Sequence, residues 1–165
     1  MANLYLIRHG IAADRDQYDS DEDRPLTTPG DRKTRKVAKR LYQFGIKFDR
    51  LLSSPLVRAR QTAEILHESG LSSGVEEFSA LSPEGKIQDW LNWYEQTDRI
   101  VNKSIALVGH QPDLGNWAEI LVWGEAREVL VVKKAGIIGI TLPERGCLIA
   151  NSELFWLTPP KFLLG

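Results

Sequence analysis

Two histidines and two arginines stand in three short segments rich in glycine, serine and proline: Leu6-Ile7-Arg8-His9-Gly10, Ser53-Ser54-Pro55-Leu56-Val57-Arg58 and Val108-Gly109-His110. A phosphoryl group in transfer spreads its negative charge over three equatorial oxygens, and its transfer is catalysed mainly by positioning and by stabilising that charge. Two guanidiniums and one imidazole supply enough donors to hold those oxygens, and the guanidinium fork matches phosphate geometry better than an ammonium does. One neutral imidazole of the pair remains as a nucleophile. Taken singly, each residue has a plainer use. Arg8 could be a salt-bridge partner, His9 a satisfied polar residue and His110 a loop contact, while Arg58 could pair with Glu64.

For these side chains to meet, the elements that carry them must end at one rim. Residues 3–8 are apolar and β-prone and run into Gly10, which predicts a buried strand with Arg8 and His9 at its C-terminal end, where α/β sheets place ligands. Leu51 to Ser54 predicts a second strand. Pro55 then falls in the first turn of a helix buried through Leu56, Ala59, Ala63 and Leu66, with Arg58 also in that first turn, where free amides favour an anion. Ile105 to Val108 is a third strand before Gly109-His110-Gln111-Pro112, and Leu114, Trp117 and Leu121 face inward on the helix that follows. Ser82-Pro83 opens another helix, with Ile87, Trp90, Leu91 and Tyr94 on one face. Thr28-Pro29-Gly30-Asp31 reads as a capping box for a helix with the stripe Val37, Leu41 and Phe44, ended by Gly45. Asp14 to Arg24 carries six carboxylates and almost no apolar residue, so it reads as a solvated loop. Ile137 to Leu142 and Cys147 to Ala150 flank Pro143-Glu144-Arg145-Gly146 as a hairpin. Alternating strands and helices predict one α/β domain over residues 1–165, three layers (α/β/α) around a mostly parallel central sheet.

The totals narrow the function classes. A chain of 165 residues can bury one sufficient core without a disulfide or metal staple. The formal charge of -1 gives no whole-molecule attraction to nucleic acid or to an anionic membrane, so no nucleic acid and no membrane partner is expected and any basic site must be local. Cys147 is the only cysteine and is expected in the core; with no disulfide partner, no signal-peptide pattern and no apolar run of spanning length, a cytoplasmic location is expected. No metal or other cofactor is expected, because His9, His67 and His110 show no metal-ligand spacing and no Gly-rich loop ends in Gly-Lys-Ser/Thr. His67 is expected at the surface, and the five tryptophans mostly in packing.

The same segments resemble the histidine phosphatase superfamily. Its Arg-His-Gly signature stands here as Arg8-His9-Gly10, its second phosphate-binding block as Ser53 to Ala63 and its third as Val108-Gly109-His110. Chain length and Arg24-Pro25-Leu26-Thr27-Thr28-Pro29-Gly30 are most similar to the SixA-type phosphohistidine phosphatases within it. The resemblance implies a phosphoglycerate-mutase-like fold and a metal-independent phosphatase. It makes His9 the nucleophile, phosphorylated in the intermediate, and Arg8, Arg58 and His110 the phosphate clamp. The implied substrate is phosphohistidine in a protein, or else a small phosphorylated compound. A non-enzymatic module that reads phosphohistidine is the rival outside enzymes. Larger members place an acidic proton donor after the second block; Glu84 stands at that interval, where a helix-start carboxylate is an equal reading, and Asp113 and Asp14 are further candidates. A leaving imidazole can instead take its proton from solvent, which favours phosphohistidine over a monoester.

Overall fold

Strand β1 (Ala2–Arg8) alternates between two cores, as a strand covered on both faces must. Leu4 and Leu6 enter one core, Tyr5 and Ile7 the other. The computed structural model describes residues 1–97 and 103–165. In chain order the remaining elements are α1 (Thr28–Gln43), β2 (Arg50–Ser53), α2 (Val57–Glu68), β3 (Glu76–Glu77), α3 (Ile87–Gln96), β4 (Ser104–Gly109), α4 (Asp113–Trp123), β5 (Ile137–Leu142) and β6 (Glu153–Thr158). Among the described residues they form a six-stranded sheet of order β3-β2-β4-β1-β5-β6. β3, β2, β4 and β1 are parallel, while β5 and β6 run antiparallel at one edge. Residues of α1 and α2 pack on the face of Tyr5 and Ile7, those of α3 and α4 on the face of Leu4 and Leu6. The expected three-layer architecture, with its mostly parallel sheet, is therefore the one observed. No helix of the described residues is long and apolar enough to cross a membrane.

Several local expectations are corrected. The cap of α1 is Thr27, one residue earlier than expected: its N–H bonds back to the Ile11 carbonyl at 2.9 Å, which holds it extended, and its hydroxyl accepts from the Gly30 N–H at 3.0 Å. Phe44 lies outside the buried stripe, half exposed beneath the Arg40 guanidinium. Pro55 precedes α2, Pro112 caps α4 without entering it, and α3 begins at Ile87 rather than near Pro83. The strand that follows β5 and pairs with it is β6, not Cys147 to Ala150. That apolar run is folded into turns, with the Ala150 N–H on the Ile120 carbonyl and the Ser152 hydroxyl on Leu148, so its hydrogen bonds are spent locally and on α4. Leu148 is buried, but Cys147 is exposed, contrary to the core position expected for it. Trp90 and Trp117 are core residues, whereas Trp123 is half exposed at the end of α4. His67 is only partly exposed, its Nδ1 within 2.8 Å of the Ser72 carbonyl.

Candidate active site

The C-terminal ends of β1 and β4 lie side by side, with Arg8 paired in register with Gly109. The next residue on each strand is a histidine, and the rings of His9 and His110 stand 5.2 Å apart, centroid to centroid. Directly after His9 the chain turns under the start of α1, and only a glycine fits. A Cβ on Gly10 would collide with the Thr34 hydroxyl, and one on Gly30 with the Ile11 carbonyl. The Gly10 N–H is held by the Thr62 hydroxyl at 3.0 Å, which ties this turn to α2. β2, the other neighbour of β4, delivers Ser54 to the same rim, and Arg58 follows as the second residue of α2.

Hydrogen bonding decides the tautomer of His9. Its Nδ1 lies 2.7 Å from the Gly10 carbonyl oxygen, which can only accept, so Nδ1 carries the proton. Nε2 therefore keeps its lone pair, and it accepts from the Arg58 Nε–H at 3.3 Å. His110 Nε2 lies 2.8 Å from the Ser54 hydroxyl, while its Nδ1 is buried without a partner among the described residues. Ser54 Oγ already accepts from the Leu56 N–H at 3.2 Å, so its own hydrogen is free to go to His110 Nε2, which would leave the proton of a neutral His110 at Nδ1.

Arg58 is 3% exposed and does not pair with Glu64; that carboxylate pairs with Arg60 at 3.5 Å. The Arg58 fork is held by Asp21, its Nη1 on the backbone carbonyl at 2.7 Å and its Nη2 on the carboxylate at 3.1 Å. Arg24 Nε also donates to Asp21, at 2.8 Å, and together with the Arg58 bonds this holds the Asp21 carboxyl below the usual range although its partial burial alone would raise it. The acidic loop is thus only partly solvent-facing, since its 3-10 turn at 21–23 packs against the site. Arg8 donates from Nη1 to the Val132 carbonyl at 3.1 Å and keeps a buried Nε without a partner among the described residues.

Arg8, His9, Arg58, His110 and Glu84 line one cavity of about 470 Å³, together with Asp21, Arg24, Asp113 and Lys134. Of the seven side chains singled out from the sequence, six, Asp113 included, are therefore brought together. Glu84 is exposed, at a left-handed residue (φ 70°), and its N–H donates to the Asp113 carboxylate at 2.8 Å. Burial pushes the Asp113 carboxyl up, the Glu84 hydrogen bond opposes this and the Glu84 charge adds to it. Asp14 is not part of the lining. Asp21, Ser54 and Lys134 were not singled out from the sequence. Among the described residues no group of three or more His, Cys, Asp or Glu side chains is arranged to hold a metal ion.

Burial, above all, pushes the His9 imidazole down to about 3; the cations around it act in the same direction and the Gly10 hydrogen bond opposes them. His110 is pushed down to about 4, again first by burial and then by Arg58. An unfolded histidine takes up its proton near 6.5, so between about pH 6.5 and pH 4 the unfolded chain binds more protons than the folded one and stability falls as the pH falls. ¹⁵N spectra at pH 5 are expected to show His9 and His110 neutral, His9 with its proton on Nδ1. Titration of both rings near 6.5 would contradict this account of the site.

The sequence profile of the histidine phosphatase superfamily (branch 1) matches residues 4–106. An uncharacterised protein of Picosynechococcus sp. (strain ATCC 27264 / PCC 7002 / PR-6) is 49% identical over 162 residues, covering 98% of both chains. The phosphohistidine phosphatase SixA of Escherichia coli (strain K12) is 29% identical over 158 residues, covering 95% of this chain and 93% of its own. The solved structure of the protein histidine phosphatase SixA complexed with tungstate superposes with a TM-score of 0.84 at 28% identity, covering 98% of this chain and 99% of the other. With its mixed α/β sheet matching that neighbour and its profile match spanning more than half its length, the chain belongs to the histidine phosphatase superfamily and is a histidine-dependent phosphatase.

Proposed function

We propose that the protein dephosphorylates phosphohistidine carried by another protein, through a phosphoryl intermediate on His9. The observation that carries this reading is the committed tautomer of His9. With Nδ1–H bonded to Gly10, the lone pair is on Nε2, where it accepts from the Arg58 Nε–H and can be released to phosphorus in a cavity lined by two guanidiniums and a second imidazole. In the first step Nε2 attacks phosphorus in line; the new N–P bond forms as the bond to the leaving imidazole breaks, and that imidazole takes a proton from solvent. In the second step water attacks the phosphorus of phospho-His9, which releases inorganic phosphate and restores the ring. Arg8, Arg58 and His110 hold the three equatorial oxygens in both steps, Arg58 already lying within 3.3 Å of the attacking atom.

The choice of substrate rests on the leaving group. The cavity offers Glu84 on an exposed loop, its carboxyl without a hydrogen bond among the described residues, and Asp113, whose Oδ2 accepts from the Glu84 N–H and is to that extent turned to the loop rather than to a leaving group. A departing imidazole tolerates that, whereas a serine or sugar alkoxide does not. A second reading, hydrolysis of small phosphoesters, is favoured by the raised Asp113 carboxyl in the same cavity. Rates measured side by side on a phosphohistidine peptide, a phosphoserine peptide and an activated aryl phosphate separate the two. The proposal expects the phosphohistidine peptide to exceed phosphoserine by more than tenfold, with the aryl phosphate also turned over. Comparable rates on phosphoserine that fall in Asp113→Asn or Glu84→Gln would move the assignment to monoesters, and binding without turnover of any of the three would leave only a reader module.

A further inference from the structure

A second and larger groove, about 870 Å³, opens beside the phosphoryl cavity and shares Arg8 and Lys134 with it. Its floor and walls are apolar. Val131, Leu157 and Phe162 reach it with exposures of 52%, 41% and 72%, an unusual amount of apolar surface to leave in water next to a polar site. Its rim is cationic, carrying Lys33, Lys133 and Lys161 besides the shared Lys134, and among the described residues its lining contains no carboxylate. Among the described residues none of these lysines takes part in an ion pair. In a chain of net charge -1, Lys33, Lys133 and Lys161, grouped along a rim and making no ion pair among the described residues, mark one face as complementary to an acidic partner.

The groove is also built to hold its shape. Glu119, fully buried in α4, accepts from the N–H groups of Arg127, Glu128 and Val129. Gln111 donates to the Leu130 carbonyl and Arg8 to that of Val132, while the Ala135 N–H bonds to the carbonyls of Arg8 and His9. The wall at 131–134 is thus pinned at both ends to the strand and helix that carry the site, so a ligand seated on it has a fixed relation to His9.

We propose that this groove docks an amphipathic, acidic segment of the phosphoprotein substrate, with its apolar side chains on Val131, Leu157 and Phe162 and its carboxylates on Lys33, Lys133 and Lys161. The proposal rests on the reading of the substrate as a phosphoprotein. A protein segment is preferred to a lipid surface because the groove is continuous with the phosphoryl cavity through Arg8 and Lys134, so one chain can occupy both.

Binding and turnover test it separately. A fluorescein-labelled, unphosphorylated peptide of alternating Leu and Glu clusters is titrated with the full chain, with Lys133→Glu/Lys161→Glu and with Phe162→Ser, alongside a control peptide in which Lys replaces Glu. The acidic peptide is expected to bind at least tenfold more weakly to either variant and more weakly as salt rises, while the aryl phosphate is hydrolysed at the wild-type rate. For the double variant the preference between the two peptides should invert. Equal binding of both peptides to all three proteins overturns the docking site. So does binding of phosphatidylserine vesicles, but not of the peptide, that the same variants abolish. Failure to hydrolyse phosphohistidine peptides, with peptide binding intact, would instead count against the proposed substrate and leave the groove in place.

Discussion

His9→Ala is expected to lose turnover almost completely, by a factor on the order of 10⁶ in kcat where a covalent nucleophile is deleted from a site that acts as a unit. The expectation follows from the division of roles between the two histidines. His9 alone has its Nδ1 proton committed to a backbone carbonyl and its Nε2 beside a guanidinium. His110 has its Nε2 on a serine hydroxyl, so it serves better as an oriented donor than as an attacking group. His110→Ala should then behave as the loss of one preorganised donor, about 10²–10³ in the chemical step, and should still form a phosphoenzyme. The fold should survive the His9 change, because the strand pairing of β1 with β4 and β5 involves only the backbone beside it. Single-turnover rates and circular dichroism on both variants check the pair. Equal losses from the two, or residual turnover in His9→Ala near that of His110→Ala, would reverse or dissolve the assignment.

Arg58→Ala should lower the chemical step by about 10²–10³, or about 2.7–4 kcal/mol, since the charge it faces is largest when the phosphoryl group is in transfer. Arg58→Lys should recover only part, because a compact ammonium cannot keep the bonds that the guanidinium makes to Asp21 and His9 and still face the phosphoryl oxygens. Stability should change far less than rate. Asp21, the residue left behind, keeps Arg24 at 2.8 Å and Arg15 at 3.5 Å, and it is partly exposed to water. Removing Arg58 also relieves its repulsion of the half-buried Arg8 guanidinium. A single-turnover rate and a thermal midpoint on the same variant distinguish the outcomes. Normal turnover with a lowered midpoint would make Arg58 a structural anchor for the 21–23 turn and nothing more.

What could be read from the sequence has a physical pattern. Strands β2 and β4 are short apolar runs that end in Ser53 and Gly109, and the apolar run of β1 ends in Arg8, two residues before Gly10; chemistry-bearing residues at or directly after such ends are placed by the sheet itself. That is why Arg8, His9 and His110 could be placed at one rim, with Arg58 carried there by the first turn of α2, and why Glu84, a loop residue whose N–H is held by Asp113, could be located but given no firm role. Asp21 was illegible because nothing local separates it from five other carboxylates in the same loop; only the long-range meeting with Arg58 selects it. The wall at 131–134 escaped for the same reason, since Glu119 and Gln111 hold it across the chain. Cys147 to Ala150 misled because a short apolar run has the same composition whether it pairs as a strand or tucks one leucine into the core from a turn.

The central claim is that His9 Nε2 carries the phosphoryl group between the two halves of the reaction. The most direct measurement is rapid acid-free quenching of the wild-type enzyme during turnover of a labelled aryl phosphate, followed by mapping of the label by mass spectrometry. The account predicts label on the peptide containing Arg8-His9-Gly10, labile to acid and stable to base, and none in His9→Ala. Label on His110, on a carboxylate or on a serine, or undiminished label in His9→Ala, would contradict it.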